Sequence, residues 1–173
     1  MRFGLMMIGA TVLALAGCTA ADAEPEVGNT QAATDAAASS DFDAHPISGL
    51  RLIDLSIDSG DQTHTFKTEL ADTRQAQARG LMFRTELADD EAMLFPSNPP
   101  APRSFWMKNT PISLDIIFIG TDGRIANIAA NTVPYSLESV PSDGITSAVL
   151  EIRGGLAAQL GIGSGDLVRY ELD

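Results

Sequence analysis

Two hydrophobic patterns divide the chain. Residues 3–16 form an almost unbroken apolar run, whereas beyond residue 50 apolar and polar positions alternate in short stretches. In residues 50–58, Ile53, Leu55 and Ile57 alternate with polar partners, the period-two signature of a strand buried on one face. Ser59, Gly60, Asp61 and Gln62 supply turn chemistry, and residues 63–70 return as a second strand, which predicts a hairpin. Asp72 and Gln75 have the spacing of a capping box and Gly80 is a helix stop, so residues 73–79 read as a short helix. Further strands are expected over 93–95, 104–109, 114–120, 124–132, 149–152 and 167–172. Residues 96–102, Pro-Ser-Asn-Pro-Pro-Ala-Pro, read as a stiff loop with few amide donors. Leu156 and Leu160, followed by Gly161, mark a second short helix. The fold class implied is mainly β (α+β): a compact antiparallel β-barrel or strongly bent sheet with two short helices packed on it.

The N-terminal run reads differently. Arg2 and the amine give a positive start, and the apolar stretch has signal-peptide length but is too short for a spanning helix. A buried core helix and an ordinary secretory signal are the alternatives. Leu15-Ala16-Gly17-Cys18 resembles the bacterial lipobox, in which the thiol becomes the point of lipid attachment, and Cys18 is the only cysteine in the chain. Residues 1–17 are therefore expected to be a lipoprotein signal peptide. Residues 18–46 follow as a lipid-anchored Ala/acid-rich tether, because 19–46 hold nine alanines, six acids and no Lys or Arg. His45 reads as a solvated residue of that tether. Residues 47–173 remain as one domain. By resemblance to lipoprotein sorting, Thr19 after the cysteine favours the outer over the inner membrane, which gives a periplasm-facing envelope lipoprotein.

Charge narrows the partners. The chain carries a net charge of −12, with its 11 basic residues scattered singly, which argues against nucleic acid, whose phosphates need clustered cations. Anionic lipid gains no electrostatic attraction either, so membrane association is expected through the lipid anchor only. No Cys or His grouping has zinc-site spacing, and Asp89-Asp90-Glu91 reads as a solvated loop, so no metal or cofactor is expected. Ser104, Ser113 and Ser147 have no histidine in a triad-like pattern. Gly161-Ile-Gly-Ser-Gly165 precedes a strand and reads as a turn rather than a nucleotide loop.

Several segments share a known pattern. Gly80-Leu-Met-Phe-Arg84, Met93-Leu-Phe95, residues 105–115 around Met107-Lys-Asn-Thr110, and Val149-Leu-Glu151 together resemble the DUF192 (UPF0127) family over most of residues 50–173. The resemblance implies a small β-rich domain, often exported, and carries no activity with it.

The same segments hold the candidate chemistry. Lys108 sits between core-forming residues, and Asp115 lies among apolar neighbours, where a carboxylate must be paired or hydrogen-bonded. One reading makes them a structural pair, or has Asp115 bond local amides, fixing the bend at Asn109-Thr110-Pro111. The other makes Arg84, Trp106, Lys108, Asn109 and Asp115 the polar floor of a binding cleft roofed by the proline loop. Arg84 would then offer a planar fork to an anion. Two functions follow: a non-catalytic binding or accessory module for a small polar ligand, glycan or partner protein, or a small hydrolase or lyase. The enzyme would use Asp115 or Glu151 as base with Lys108 and Arg84 stabilising an anion.

Overall fold

The computed structural model describes residues 43–172; the expected signal peptide, Cys18 and most of the expected tether lie outside the described residues. Seven strands and two short helices follow one another as β1 (Leu52–Ser59), β2 (Gln62–Leu70), α1 (Arg74–Arg79), β3 (Glu91–Phe105), β4 (Leu114–Gly120), β5 (Ile125–Ala129), β6 (Val140–Arg153), α2 (Leu156–Leu160) and β7 (Leu167–Tyr170). They form one sheet in the order β5-β4-β6-β3-β2-β1-β7. Its two edges approach each other. Arg124 bridges Leu167, and Ile125 donates to Asp166 and Val168 to Gly123, so the sheet curls into a half-barrel.

The expected fold class holds, with one change of direction. β2 and β3 run parallel, joined by a crossover that carries α1, while all other pairs are antiparallel. The expected strand 93–95, the proline loop and the first two residues of the expected strand 104–109 are one long strand, β3, bent by register shifts after Pro96 and Pro102, while residues 106–109 leave the sheet in a turn. Prolines are tolerated at such bulges because no ladder donor is required of them. The partner of this bent half is the first part of β6, residues 140–147, whose polar, glycine-containing sequence hides its strand character. Helix α1 is capped by Thr73, whose Oγ1 accepts from the Ala76 amide, rather than by Asp72. Gly80 ends it with φ 49°, a left-handed backbone that favours glycine.

Burial divides between the two faces of the sheet. The concave face gathers Leu55, Phe66, Leu94, Ile117, Ile125, Leu150 and Val168 from every strand, closed by Leu156 and Ala157 of α2. The convex face of the central strands carries Met93, Phe95, Ile116, Phe118 and Val149, covered by Leu81, Leu87 and Met107 from the connecting segments. Each such side chain contributes about 1.5–3 kcal/mol when fully buried. The beginning of the domain differs from expectation. Leu52 donates to Asp43, His45 exchanges backbone bonds with Leu50 and Gly49, and the His45 side chain is buried. Backbone hydrogen bonds hold residues 43–46 to the domain, a feature with no hydrophobic signature in the sequence.

Candidate functional site

The convex face carries two acids in one row. Glu69 of β2 pairs in register with Met93 of β3, Met93 with Glu151 of β6, and Glu151 with Ile116 of β4. Directly opposed residues share a face, so both glutamates point to the same side, separated by one methionine. Both are almost fully buried, and their surroundings are opposite. Glu69 Oε1 accepts from Arg84 Nη2 at 2.6 Å in a buried ion pair. Its Oε2 lies 3.6 Å from His45 Nδ1, which itself accepts from the Ile47 and Ser48 amides. Glu151 has no hydrogen-bond or ion-pair partner among the described residues. Burial alone pushes its carboxyl up to about 8, so at neutral pH it is mostly the uncharged acid.

Glu151 is unpartnered because it faces a hollow. A cavity of about 210 Å³ opens over it, walled by Phe95, Phe105 and Trp106 and by the end of α1 at Gln77 and Arg79. Phe95 and Phe105 meet edge-on, with ring centroids 5.1 Å apart, which fixes the apolar wall. Three cations stand around the opening: Arg79, Arg103 and Lys108. Arg103 lies 5.8 Å from the Phe105 ring centroid and donates to Gln77 Oε1, and Lys108 Nζ lies 5.2 Å from the Trp106 centroid. Aromatic faces thus position two of the three charges.

Beside the opening, three loops knit together. Phe83 donates its amide to the Asn109 carbonyl, Tyr135 to Thr110 and Met107 to Ser136. Phe83, Asn109 and Tyr135 all have positive φ (65°, 56° and 61°), a costly backbone for bulky side chains. Phe83 and Tyr135 both stand exposed to solvent, and Trp106 is half-exposed. Leu137 and Trp106 line another, more open hollow beside it.

Against this geometry the residues singled out from sequence separate. Trp106 and Lys108 stand on the cavity rim. Asn109 shapes the turn beneath them and donates to Met82 Sδ. Arg84 is taken up by Glu69, and its fork does not line the cavity. Asp115 is on the other face. Its register partner is Ile152, one residue beyond Glu151, and alternation sends it into the concave core. There it accepts from the amides of Asn131 (2.7 Å), Gly155 (2.8 Å) and Ala157 (2.9 Å). The left-handed Gly155, φ 80°, begins α2. No Lys108–Asp115 pair forms: Lys108 is exposed while Asp115 is sealed beneath α2. Among the described residues no group of three or more His, Cys, Asp or Glu could hold a metal, and no helix is long and apolar enough to cross a membrane.

Comparison with known proteins gives a family and no activity. The model for DUF192, described as "Uncharacterized ACR", matches residues 55–170. The chain belongs to the DUF192 family. A crystal structure of a protein of unknown function from Novosphingobium aromaticivorans DSM 12444 is 53% identical, with a TM-score of 0.73, over 82% of this chain and 99% of that one. A second, from Sinorhizobium meliloti 1021 and provisionally named a transcription regulator, is 34% identical with a TM-score of 0.68, over 70% of this chain and 95% of that one. No curated protein matches the chain. The DUF192 segments noted in the sequence converge on one place. Gly80–Arg84 passes the cavity and then turns inward to Glu69, residues 105–110 form its rim, and Val149–Glu151 runs beneath it. Arg79, Arg103 and Glu69 were not singled out from sequence. The first ends a helix, the second sits among prolines, and Glu69 closes an otherwise ordinary strand.

Proposed function

We propose that this DUF192 domain is a binding module whose ligand site is the cavity over Glu151, and that it takes a small polar ligand without covalent chemistry. The observation that carries this reading is a buried carboxyl with no partner among the described residues, facing an open cavity. Burying an unsatisfied polar group costs stability, and such a cost is characteristic of sites kept for function. An acidic surface of net charge −12 argues against the nucleic-acid role that the Sinorhizobium protein's name would suggest. Replacing Glu151 with Leu should leave the domain folded yet unable to complement a deletion in the bacterium that encodes it. Full complementation would remove the cavity as the functional site.

One observation favours a second reading. A carboxyl with its pKa near 8 is poised for general acid–base work at neutral pH, as a small hydrolase or lyase requires. Asp115 has no part in either version, since its oxygens are engaged by backbone amides. Glu151→Gln separates the two: an amide still donates a hydrogen bond, so a binding module keeps function, whereas an acid–base catalyst loses it.

We further propose that the domain is displayed in the cell envelope by lipid on Cys18, facing the periplasm, with the residue that follows favouring the outer over the inner membrane. The support is the lipobox-like Leu15–Cys18 ending an apolar signal. Stable anchoring takes more than one acyl chain, which lipoprotein maturation provides. Metabolic labelling with a clickable fatty acid should mark the wild-type protein and not Cys18→Ser. Equal labelling of both would end the lipoprotein reading.

A further inference from the structure

Cations in this chain are scarce, and four of those among the described residues are matched by carboxylates. Lys67, Arg84, Arg153 and Arg169 each pair with a carboxylate. Arg79, Arg103 and Lys108 have no carboxylate partner among the described residues, although the chain has 23 acids to 11 bases. All three line the same cavity. A fourth such cation, Arg74, lines an adjoining depression that shares Gln77 and Arg103 with it. In so acidic a protein, unpaired positive charges gathered at one opening concentrate a local positive field against the background.

The floor and walls complete the selection. Glu151 offers a neutral hydroxyl donor, whereas a cationic guest would require it ionised and would meet three like charges on entry. The walls are aromatic, and Gln77, Ser104 and Thr110 add amide and hydroxyl groups along the lining. At roughly 30 Å³ per water, 210 Å³ holds about seven waters, the scale of one sugar ring rather than a chain. We infer that the ligand is an acidic sugar unit: its carboxylate is held by Arg79, Arg103 and Lys108, its ring lies against Trp106, and a hydroxyl or ring oxygen meets Glu151. This rests on the binding-module reading above and adds the ligand's charge and class.

The groups facing Glu151 set the pH behaviour. They are Arg79 from α1, Arg103 from β3 and Lys108 from the following turn, with the Glu69–Arg84 pair one strand beyond Met93. Ionisation of Glu151 then places a negative charge beneath an anionic guest, so affinity falls as pH rises.

Trp106 is the only tryptophan in the chain, so intrinsic fluorescence reports directly on this cavity. The full-length protein in detergent micelles is titrated with glucuronate, glucose, glucosamine and glucose 6-phosphate. Glucuronate should perturb Trp106 with at least tenfold higher affinity than glucose, glucosamine should be weakest, and glucose 6-phosphate distinguishes carboxylate from phosphate as the anion. Arg103→Gln and Lys108→Gln should each weaken glucuronate binding about tenfold. Glu151→Gln should remove the fall in affinity at alkaline pH. Tighter binding of glucosamine or glucose than of both anions would overturn the acidic-sugar inference while leaving the site in place, and preference for the phosphate would overturn the carboxylate. No fluorescence response to any of the four, with no shift of the Glu151 carboxyl carbon in NMR, would overturn both the inference and the site.

Discussion

Asp115 and Glu151 occupy adjacent rungs of the β4–β6 ladder, both buried, on opposite faces of one sheet. Asp115 accepts three backbone amides and so joins β4 to the start of α2 and to the segment after β5. Glu151 has no hydrogen-bond or ion-pair partner among the described residues and looks into a cavity with cations at its mouth. Burial is equal; satisfaction is not. A buried carboxyl whose two oxygens both accept hydrogen bonds acts as part of the fold, and we read the one left without partners as the place where a ligand bonds.

The largest effect should come from the satisfied acid. Asp115→Ala strands three amides, that of Ala157 buried and those of Asn131 and Gly155 part-buried, and at about 1–3 kcal/mol for a buried unsatisfied group a loss on the order of 3–5 kcal/mol is expected in urea unfolding. A loss below about 1 kcal/mol would show that the amides find other partners and would erase the contrast with Glu151.

This contrast was only partly legible in the sequence. The hairpin β1–β2, the apolar run of β4 and both short helices follow from periodicity and punctuation, and the family segments do surround the cavity. That Asp115 must be hydrogen-bonded followed from its apolar neighbours; that its donors come from residues 131, 155 and 157 did not, because those contacts span the chain. The pairing of Lys108 with Asp115 failed for a geometric reason. The strand stops at Phe105, and Asn109 turns left-handed, so Lys108 stays in a turn on the convex side. Arg84 found its carboxylate within the protein, in Glu69, through the parallel β2–β3 register that local sequence does not specify. The long second half of β3 was hidden by its prolines, and with it Arg103.

The intermediate effect belongs to the unsatisfied acid and appears as pH dependence. Glu151 has a folded pKa of about 8, raised above the ordinary value of 4.5 by burial. Between those values the folded state holds a proton that the unfolded state releases, so stability falls as pH rises through this window. The slope is at most about 1.4 kcal/mol per pH unit. Thermal unfolding of the wild type compared with Glu151→Gln between pH 5 and 8 isolates this group, since other titrations cancel in the difference. A difference that does not change with pH would mean that Glu151 titrates normally and that the cavity is wetter than its lining implies.

The smallest effect concerns Lys108 and tests the comparison from the side of the rim. A lysine paired with a buried Asp115 would, when replaced, leave an uncompensated charge and cost roughly 3–5 kcal/mol. Here Lys108 is exposed over Trp106, and Asp115 is sealed beneath α2 on the other face of the sheet. Lys108→Met should therefore change stability by no more than about 0.5 kcal/mol, the range of surface substitutions. Combined with the milder Asp115→Asn, it should show no coupling beyond about 0.3–0.5 kcal/mol, as for sites that share no partner. Loss of the cation from the indole face should still alter Trp106 emission, which confirms that the substitution was felt where the structure puts the side chain. A coupling above 1 kcal/mol would place Lys108 and Asp115 in one network and dissolve the division between a satisfied inner acid and an open outer one.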